Sequence, residues 1–317
     1  MQTRRRVTWR SAPLAPLAIL AAALVGLPGC ELCSDLNCDG GGGSVGELRF
    51  ASGLVYVTAG SRDIAGADRR DWSTTGYFTT GGGLRNPAVG PGGDSIVFAT
   101  TRGDALLRAA TVGGALSTLA TSDASISNLR QPVFTPDGRR VVFTFDRGGV
   151  AGIGSVAADG SGGIIEVPRT LSAVHYTSPS FDASGRLYVV AATSGGVGAE
   201  LVRLDLSTGA SQVVTDDLGD ALGVANRAQV SPDGTQIVFD GRTSSGATRL
   251  FVHTVGGSTR QLNVGAGNQT FPTWVSANTL AFASDTGGAD QIYLAPATGG
   301  SADLIIPSAT EPNFGPR

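Results

Sequence analysis

Lysine is absent from this 317-residue sequence, and methionine, cysteine and histidine are rare. Methionine occurs only at position 1, histidine only at positions 175 and 253, and all three cysteines lie between positions 30 and 38. With so few histidines and cysteines, the sequence gives no basis for predicting a Ser-His-Asp triad or a domain stabilised by disulfides. No segment has a sustained helical period, which favours a fold built from short strands.

The first 29 residues are predicted to be an export signal. Arginines at positions 4, 5, 6 and 10 precede an apolar run over residues 12–27, which is too short to be typical of a membrane-spanning helix. The run ends in Leu27-Pro-Gly-Cys30, which resembles the lipobox of bacterial lipoproteins. This resemblance implies that Cys30 carries a lipid that joins the protein to a membrane. An ordinary signal cleaved elsewhere is the alternative.

Residues 30–46 are predicted to form a tether ahead of the folded domain, because they are rich in cysteine and glycine. With Cys30 acylated, Cys33 and Cys38 remain as a disulfide pair in an exported protein. Free thiols or a metal site are the alternatives.

A second interpretation of the tether is a calcium site. Asp35, Asn37 and Asp39 place oxygen atoms at alternate positions, and Gly40 follows, as in the opening of a calcium loop. The closing glutamate stands one residue late, at Glu47, and no flanking helix is indicated. A polar tether without an ion is therefore preferred, with Ca²⁺ as the alternative and no other cofactor indicated.

The charge balance argues against nucleic acid as a partner. The export signal takes four of the 23 basic residues and none of the 26 acidic ones, so the mature chain is acidic. DNA and RNA binding require a basic face, which this composition does not favour.

A short pattern recurs through residues 47–317, which are predicted to form one domain. It is clearest in Pro132-Val-Phe-Thr-Pro-Asp-Gly-Arg-Arg-Val-Val-Phe143, where an apolar strand, a Pro-Asp-Gly turn and an alternating strand follow one another. The apolar residues ahead of each turn are Phe50, Val89, Phe134, Phe181, Val230, Trp274 and Phe314. A period of about forty to fifty residues built from short strands is typical of propeller blades.

Each repeat has signals for four strands, so the predicted fold is all-β: a six-bladed β-propeller of four-stranded antiparallel blades, with seven blades as the alternative. The seventh opening strand, 311–316, has no blade of its own. We expect it to pair with the first blade and close the ring, which removes the open sheet edges.

The repeat pattern resembles the PD40, WD40-like, repeats of TolB-type propellers over residues 87–317. Three repeats depart from it: Phe181-Asp-Ala-Ser-Gly185 and Val275-Ser-Ala-Asn278 lack the Pro-Asp-Gly turn, and the first repeat, residues 47–80, matches only in outline. The resemblance implies a periplasmic interaction scaffold. TolB-like proteins carry an α/β domain ahead of the propeller, whereas a tether stands there in this sequence, so their role in the Tol system is not carried over.

Signatures of catalysis are sparse. Gly42-Gly-Ser-Val-Gly46 has the spacing of a nucleophile elbow but lies in the tether, without the strand and helix that expose such a serine. Asp137 and Asp233 stand in Pro-Asp-Gly turns, where aspartate typically bonds its own backbone. His253 lies within a predicted strand, so the sequence favours binding over catalysis.

The strongest candidate site comes from propeller geometry. The connections between blades cross one face of the ring towards the central channel. Arginine forks suit carboxylates and amides suit hydroxyls, so the residues in these connections predict a funnel for an anionic or polyhydroxylated ligand. Capping of strand ends is the structural alternative. The predicted funnel residues are Arg85, Asn86, Arg130, Gln131, His175, Tyr176, Asn226, Arg227, Asn268 and Gln269.

The combined prediction is a lipid-anchored, monomeric propeller of the bacterial cell envelope, periplasmic or surface-facing. It binds an envelope protein, a peptide or an anionic glycan and catalyses no reaction. A lyase or hydrolase acting on glycans is the alternative, with His175, Tyr176 and Arg130 as its candidate groups. Presentation of the blade rims to protein partners is another alternative, which leaves the funnel unused.

Overall fold

The computed structural model describes residues 52–113, 115–168, 174–193 and 199–316. Within these ranges the chain forms 24 β-strands and no helix. The strands make six four-stranded antiparallel sheets, which are the blades of a propeller. The prediction of six blades is confirmed, and the seven-bladed alternative is wrong.

The strands are numbered along the chain, and each blade is given from the central channel outwards. Blade 1 contains β24 (Ala309–Gly315), β1 (Gly53–Thr58), β2 (Ile64–Asp68) and β3 (Thr74–Phe78). Blade 2 contains β4 (Leu84–Val89), β5 (Ser95–Thr100), β6 (Ala105–Ala110) and β7 (Ser117–Thr121). Blade 3 contains β8 (Ser127–Phe134), β9 (Arg140–Arg147), β10 (Val150–Ala157) and β11 (Ile165–Glu166).

The other three blades follow the same order. Blade 4 contains β12 (Val174–Phe181), β13 (Leu187–Thr193), β14 (Glu200–Leu204) and β15 (Ser211–Thr215). Blade 5 contains β16 (Ala221–Val230), β17 (Gln236–Thr243), β18 (Thr248–Thr254) and β19 (Thr259–Gln261). Blade 6 contains β20 (Gln269–Ser276), β21 (Thr279–Ser284), β22 (Gln291–Pro296) and β23 (Asp303–Ile306).

The ring is closed by the last strand of the chain. β24 is the innermost strand of blade 1 and pairs antiparallel with β1, with Leu54 opposite Phe314 and Gly53 opposite Gly315. This confirms the expected pairing between the last strand and the first blade. Phe50, which the repeat pattern placed ahead of a turn, lies outside the described residues.

The hydrophobic core lies between neighbouring blades. In one cluster, Val97 and Leu106 of blade 2 pack with Phe143 and Phe145 of blade 3, and all four are buried. Burying each such side chain stabilises the fold by roughly 1.5–3 kcal/mol. Consecutive residues of the second strands are buried, as in β5 and β9, and they point to opposite faces of the blade, so both faces pack against a neighbouring blade.

The Pro-Asp-Gly turns join the first and second strands of a blade. In blade 3, Asp137 accepts hydrogen bonds from the hydroxyl of Thr135 at 2.6 Å and from the main-chain N–H of Arg139 at 3.1 Å. The Thr135 bond lowers the pKa of the Asp137 carboxyl. Asp233 makes the same contacts with Ser231 and Thr235 in blade 5. Both aspartates shape turns, as the sequence indicated.

Candidate functional site: the central channel

Each of the six innermost strands is interrupted by a bulge at the same place, where its pairing with the next strand shifts register. In five strands the residue before a proline takes up a left-handed conformation there, with φ between 51° and 55°. We call these residues, together with Arg227 at the corresponding position of β16, the bulge ring. Its members are Asn86, Gln131, Ser178, Arg227, Phe271 and Glu311. A left-handed non-glycine residue costs about 1–3 kcal/mol, so its repetition requires compensating contacts.

Hydrogen bonds between neighbouring blades supply this compensation. Glu311 Oε2 accepts from the main-chain N–H of Asn86 at 2.5 Å, and Asn86 Oδ1 accepts from that of Gln131 at 3.1 Å. Gln131 Oε1 accepts from the N–H of Ser178 at 3.0 Å, while Gln131 Nε2 donates to the carbonyl of Asn226 at 2.8 Å. The polar side chains of the bulge ring therefore hold the blades together across the channel.

Asp240 performs the same task between blades 5 and 6. This fully buried side chain of β17 accepts from the N–H groups of Asn226 and Arg227 at 2.8 Å. It also accepts from Phe271 N and Asn226 Nδ2 at 2.9 Å. Burial raises the pKa of the Asp240 carboxyl, and these four donors oppose the rise. Beside it, Arg227 donates to the carbonyl of Pro312 and lies 5.5 Å above the ring of Phe271.

A cavity of about 320 Å³ lies at the centre of the propeller, on the side where the inner strands end. Its floor includes four members of the bulge ring: Asn86, Gln131, Ser178 and Arg227. Its walls are largely proline and phenylalanine from the ends of the inner strands and the turns that follow. These wall residues include Pro91, Phe134, Pro136, Phe181, Pro232 and Phe314.

Among the described residues that line this cavity, the ionisable ones are Asp182 and Arg227. Asp182 is buried and accepts from Ser184 Oγ at 2.7 Å and from Arg186 Nε at 2.6 Å. Burial opposes ionisation of the Asp182 carboxyl, but the hydrogen bonds from Ser184 and Arg186 together lower its pKa. Both ionisable groups are therefore engaged by the protein itself, which suits binding better than acid–base chemistry.

The structure places nine of the ten predicted funnel residues within the inner strands and Asn268 just before β20. They do not form interblade connections, because strand pairing continues past the bulge in these blades. Three of them, Asn86, Gln131 and Arg227, come together at the cavity floor.

The other predicted arginines bond within blades 2 and 3. Arg85 donates to the carbonyl of Thr100 at 3.1 Å and to Asn128 Oδ1 at 2.8 Å. Burial, followed by repulsion from Arg130, lowers the pKa of Arg85. Arg130 forms an ion pair with Asp146 at 2.9 Å. Neither arginine lines the cavity.

The remaining predicted residues serve neighbouring backbone or core. Tyr176 is buried in the core between blades 3 and 4, and His175 Nδ1 accepts from the N–H of Ala151 at 3.2 Å. Gln269 is buried and donates to the carbonyl of Gly265, and exposed Asn268 bonds Asp285.

Cys30, Cys33, Cys38 and the calcium candidates Asp35, Asn37 and Asp39 lie outside the described residues. Within the described ranges, no group of three or more His, Cys, Asp or Glu side chains is arranged to hold a metal ion. The same part of the chain has no helix long and apolar enough to cross a membrane.

The proline and phenylalanine walls were not identified as a site from the sequence. Their signal was present, because Phe134, Phe181 and Phe314 stand ahead of turns, and Pro136 and Pro232 belong to the Pro-Asp-Gly motif. The sequence pattern alone indicates elements of the repeat. In the ring, the repeat brings them to one cavity.

Comparison with known proteins places this architecture in a family. The profile of PD40, described as the TolB beta propeller domain, matches residues 72–274. The chain belongs to the PD40 family. No curated protein matches it in sequence.

Solved structures share the PD40 fold at low identity. TolB from Acinetobacter baumannii has a TM-score of 0.67 and 15% identity, over 84% of this chain and 66% of that one. A chain of the nidogen–laminin complex has a TM-score of 0.65 and 12% identity, over 83% of this chain and 98% of that one. The tricorn protease has a TM-score of 0.53 and 18% identity, over 70% of this chain and 22% of that one. This chain therefore spans just under two thirds of the Acinetobacter TolB, and these likenesses establish the fold.

Proposed function

We propose that this PD40 protein is a non-catalytic binding propeller of the bacterial cell envelope, which holds a polypeptide segment in its central cavity. The observation that carries the proposal is the make-up of the cavity. Prolines at 91, 136 and 232 and phenylalanines at 134 and 181 form its walls, and amide and hydroxyl groups form its floor. Apolar walls with a few placed polar groups are typical of ligand sites.

The same residues favour a polypeptide over an anionic glycan. Arg227 lines the cavity, but it already donates to the carbonyl of Pro312 and stacks on Phe271. Arg85 and Arg130 bond elsewhere in blades 2 and 3. Apolar side chains of a peptide fit between the proline and phenylalanine walls, whereas the described lining residues offer a polyanion no unengaged cation.

The location is inferred from the likeness to TolB together with the predicted lipid on Cys30. Gly53, where β1 begins, pairs with Gly315, which lines the cavity. The predicted tether therefore joins the propeller on the side that carries the cavity mouth. A lipid on Cys30 keeps the cavity within reach of the membrane, so we propose a partner that lies close to the membrane surface.

The test uses two alanines on opposite faces of the propeller, one at the end of an inner strand and one before the start of an inner strand. Ala183 is exposed and lines the cavity, while Ala124 is exposed in the connection before β8. A photo-crosslinking phenylalanine at 183 is expected to capture a polypeptide partner in cells, and the same group at 124 is not. Ala183→Arg is expected to prevent binding and Ala124→Arg to preserve it. Equal capture at both positions places the interaction outside the cavity and contradicts the proposal.

The anchor is tested separately. Cells fed a radiolabelled fatty acid are expected to label the wild-type protein and not a Cys30→Ser variant, which then leaves the membrane fraction. Equal labelling of the two proteins contradicts lipidation at this residue without affecting the cavity proposal.

A further inference from the structure

A second ring of hydrogen bonds lies above the bulge ring, at the residues just ahead of each turn. We call these residues the amide ring; they are Val89, Phe134, Phe181, Val230, Trp274 and Phe314. In blades 2 to 5 their main-chain N–H groups face away from the second strand, because it is the next residue along the chain that donates to that strand. In blade 3, for example, Thr135 N donates to Arg140 O at 2.9 Å, which leaves Phe134 N directed away from β9.

In four blades a side chain of the preceding blade accepts this N–H. Asn313 Oδ1 accepts from Val89 at 3.3 Å, and Ser180 Oγ accepts from Val230 at 3.1 Å. Gln229 Oε1 accepts from Trp274 at 2.8 Å. In the same way, Thr273 Oγ1 accepts from Phe314 at 3.3 Å. Each acceptor comes one residue before the amide-ring member of its own blade.

Blades 3 and 4 lack such an acceptor. The residues that would supply it are Ala88 and Val133, whose side chains have no hydrogen-bonding atom. Within the described part of the chain, no protein group accepts from Phe134 N or Phe181 N. Main-chain N–H groups are nearly always paired with protein or with water, so these two donors at neighbouring positions of the ring take an acceptor from outside the chain, either water or a ligand.

The cavity lies on this open part of the amide ring. Ala88, Val133, Phe134 and Phe181 all line it, whereas no residue of β20 is among its described lining residues. Gln229 also lines the cavity and uses its amide oxygen within the ring, so its NH₂ end remains to meet a ligand. The polar groups offered at this part of the wall are therefore hydrogen-bond donors.

We infer that the N–H groups of Phe134 and Phe181 bind main-chain carbonyl oxygens of an extended polypeptide in the cavity. The contact resembles the addition of a strand to an open sheet edge, in which backbone bonds give affinity and flanking pockets read side chains. The ligand needs no negative charge, because the positive charge of Arg227 is already balanced by the nearby carboxylates of Asp240 and Glu311. This inference rests on the proposed function and specifies the chemistry of its ligand.

Peptides that bind the full-length protein are selected from a display library of random 12-residue sequences and synthesised with amidated C-termini. Val133→Thr conserves size and adds the acceptor that Thr273 supplies in blade 6, and Ala88→Ser adds one for Phe134. Each substitution is expected to weaken peptide binding about fivefold or more, the effect of one displaced hydrogen bond. Val133→Ala, which adds no acceptor, is the matched control and is expected to change affinity less than the threonine variant.

Amide hydrogen exchange of the wild-type protein tests the contact directly. The Phe134 and Phe181 amides are expected to exchange at least tenfold more slowly in the peptide complex than in the free protein. Unchanged exchange at both residues overturns the inference, as does equal loss of affinity in Val133→Thr and Val133→Ala. Loss of binding on C-terminal amidation identifies a carboxylate ligand and also overturns it.

The proposed function has its own readout in the same assay. Selected peptides that still bind Ala183→Arg, or a library that yields no binder, contradict cavity binding itself. If Ala183→Arg abolishes binding while Ala88→Ser and Val133→Thr do not weaken it, the cavity proposal stands and the assignment to Phe134 and Phe181 fails.

Discussion

Glu311, in the last strand of the chain, accepts hydrogen bonds from both the main-chain N–H and the side-chain amide of Asn86 in blade 2. The same carboxylate forms an ion pair with Arg62 at 2.6 Å, and Glu311 is buried. Ring closure at the blade 1–blade 2 boundary therefore depends on a polar contact near the channel as well as on strand pairing at β1.

Glu311→Gln is expected to lower the free energy of unfolding by about 2 kcal/mol, because the amide replaces one acceptor oxygen by a donor and removes the charge that Arg62 pairs with. Urea unfolding followed by tryptophan fluorescence measures the loss. The control is Glu166→Gln, which breaks the exposed pair with Arg147. It is expected to cost less than about 1 kcal/mol. Equal losses in the two variants would show that the bulge-ring contact adds no stability.

Asp240→Asn is expected to lower the free energy of unfolding further, by about 3 kcal/mol or more. The amide NH₂ then faces N–H donors whose hydrogen bonds the carboxylate accepts. Asn226 donates to both carboxylate oxygens, so the substitution opposes a donor in either orientation of the amide. The control is Asp216→Asn at an exposed position in the connection after β15. Thermal unfolding of the two variants makes the comparison, and similar midpoints would contradict this role for Asp240.

His253 makes stability depend on pH. The ring is buried in β18, and Nδ1 lies 3.0 Å from Thr259 Oγ1 while Nε2 has no partner among the described residues. Burial lowers the pKa of His253 below its ordinary value of 6.5. The unfolded chain therefore takes up a proton first on acidification. Stability contributed by the neutral ring is present above about pH 6.5 and is lost as pH falls towards the folded-state pKa.

A His253→Gln variant removes this titration and is expected to lose less stability than the wild type between pH 7 and pH 5. The measurement is the urea midpoint at several pH values in each protein. Parallel curves would mean that other groups account for the acid sensitivity.

The blade repeat was predictable because its residues are determined by local chemistry. A Pro-Asp-Gly turn places a proline at its second position and a glycine at its last, and an apolar residue stands ahead of it, Phe134 in blade 3 and Val230 in blade 5. Pairing of the last strand with the first blade followed from counting, since an unpaired inner strand leaves sheet edges open. These features depend on short stretches such as residues 132–143.

The site was harder to predict because its geometry depends on the bulges. A residue before proline ordinarily favours extended conformations, yet Asn86 and Gln131 are left-handed. At a left-handed bulge, adjacent residues serve different partners, so Arg85 bonds the carbonyl of Thr100 while Asn86 joins the bulge ring. The open amides of Phe134 and Phe181 depend on Ala88 and Val133 in neighbouring blades, a relationship that only the closed ring reveals.

Two glycines in turns near the cavity separate the effect of a steric clash from the effect of backbone strain. Gly234 and Gly185 both have positive φ, 72° and 82°, so alanine is strained at either site, by about 1 kcal/mol. Their surroundings differ. A Cβ at 234 would lie 2.7 Å from Asp182 Oδ2 and 2.5 Å from Arg186 Nη2, whereas nothing lies within 4 Å of one at 185.

Gly185→Ala is therefore expected to lower the free energy of unfolding by about 1 kcal/mol. Gly234→Ala is expected to lower it by about 1–3 kcal/mol more, because the buried Asp182 carboxylate must move away from its donors. Urea unfolding compares the two directly. Peptide binding provides a second readout, since Asp182 lines the cavity and lies beside Phe181. Affinity is expected to fall in Gly234→Ala and to be retained in Gly185→Ala. Equal stability in the two variants would mean that the Arg186 and Asp182 side chains move aside without loss of stability. The turn would then not hold this wall of the cavity in place.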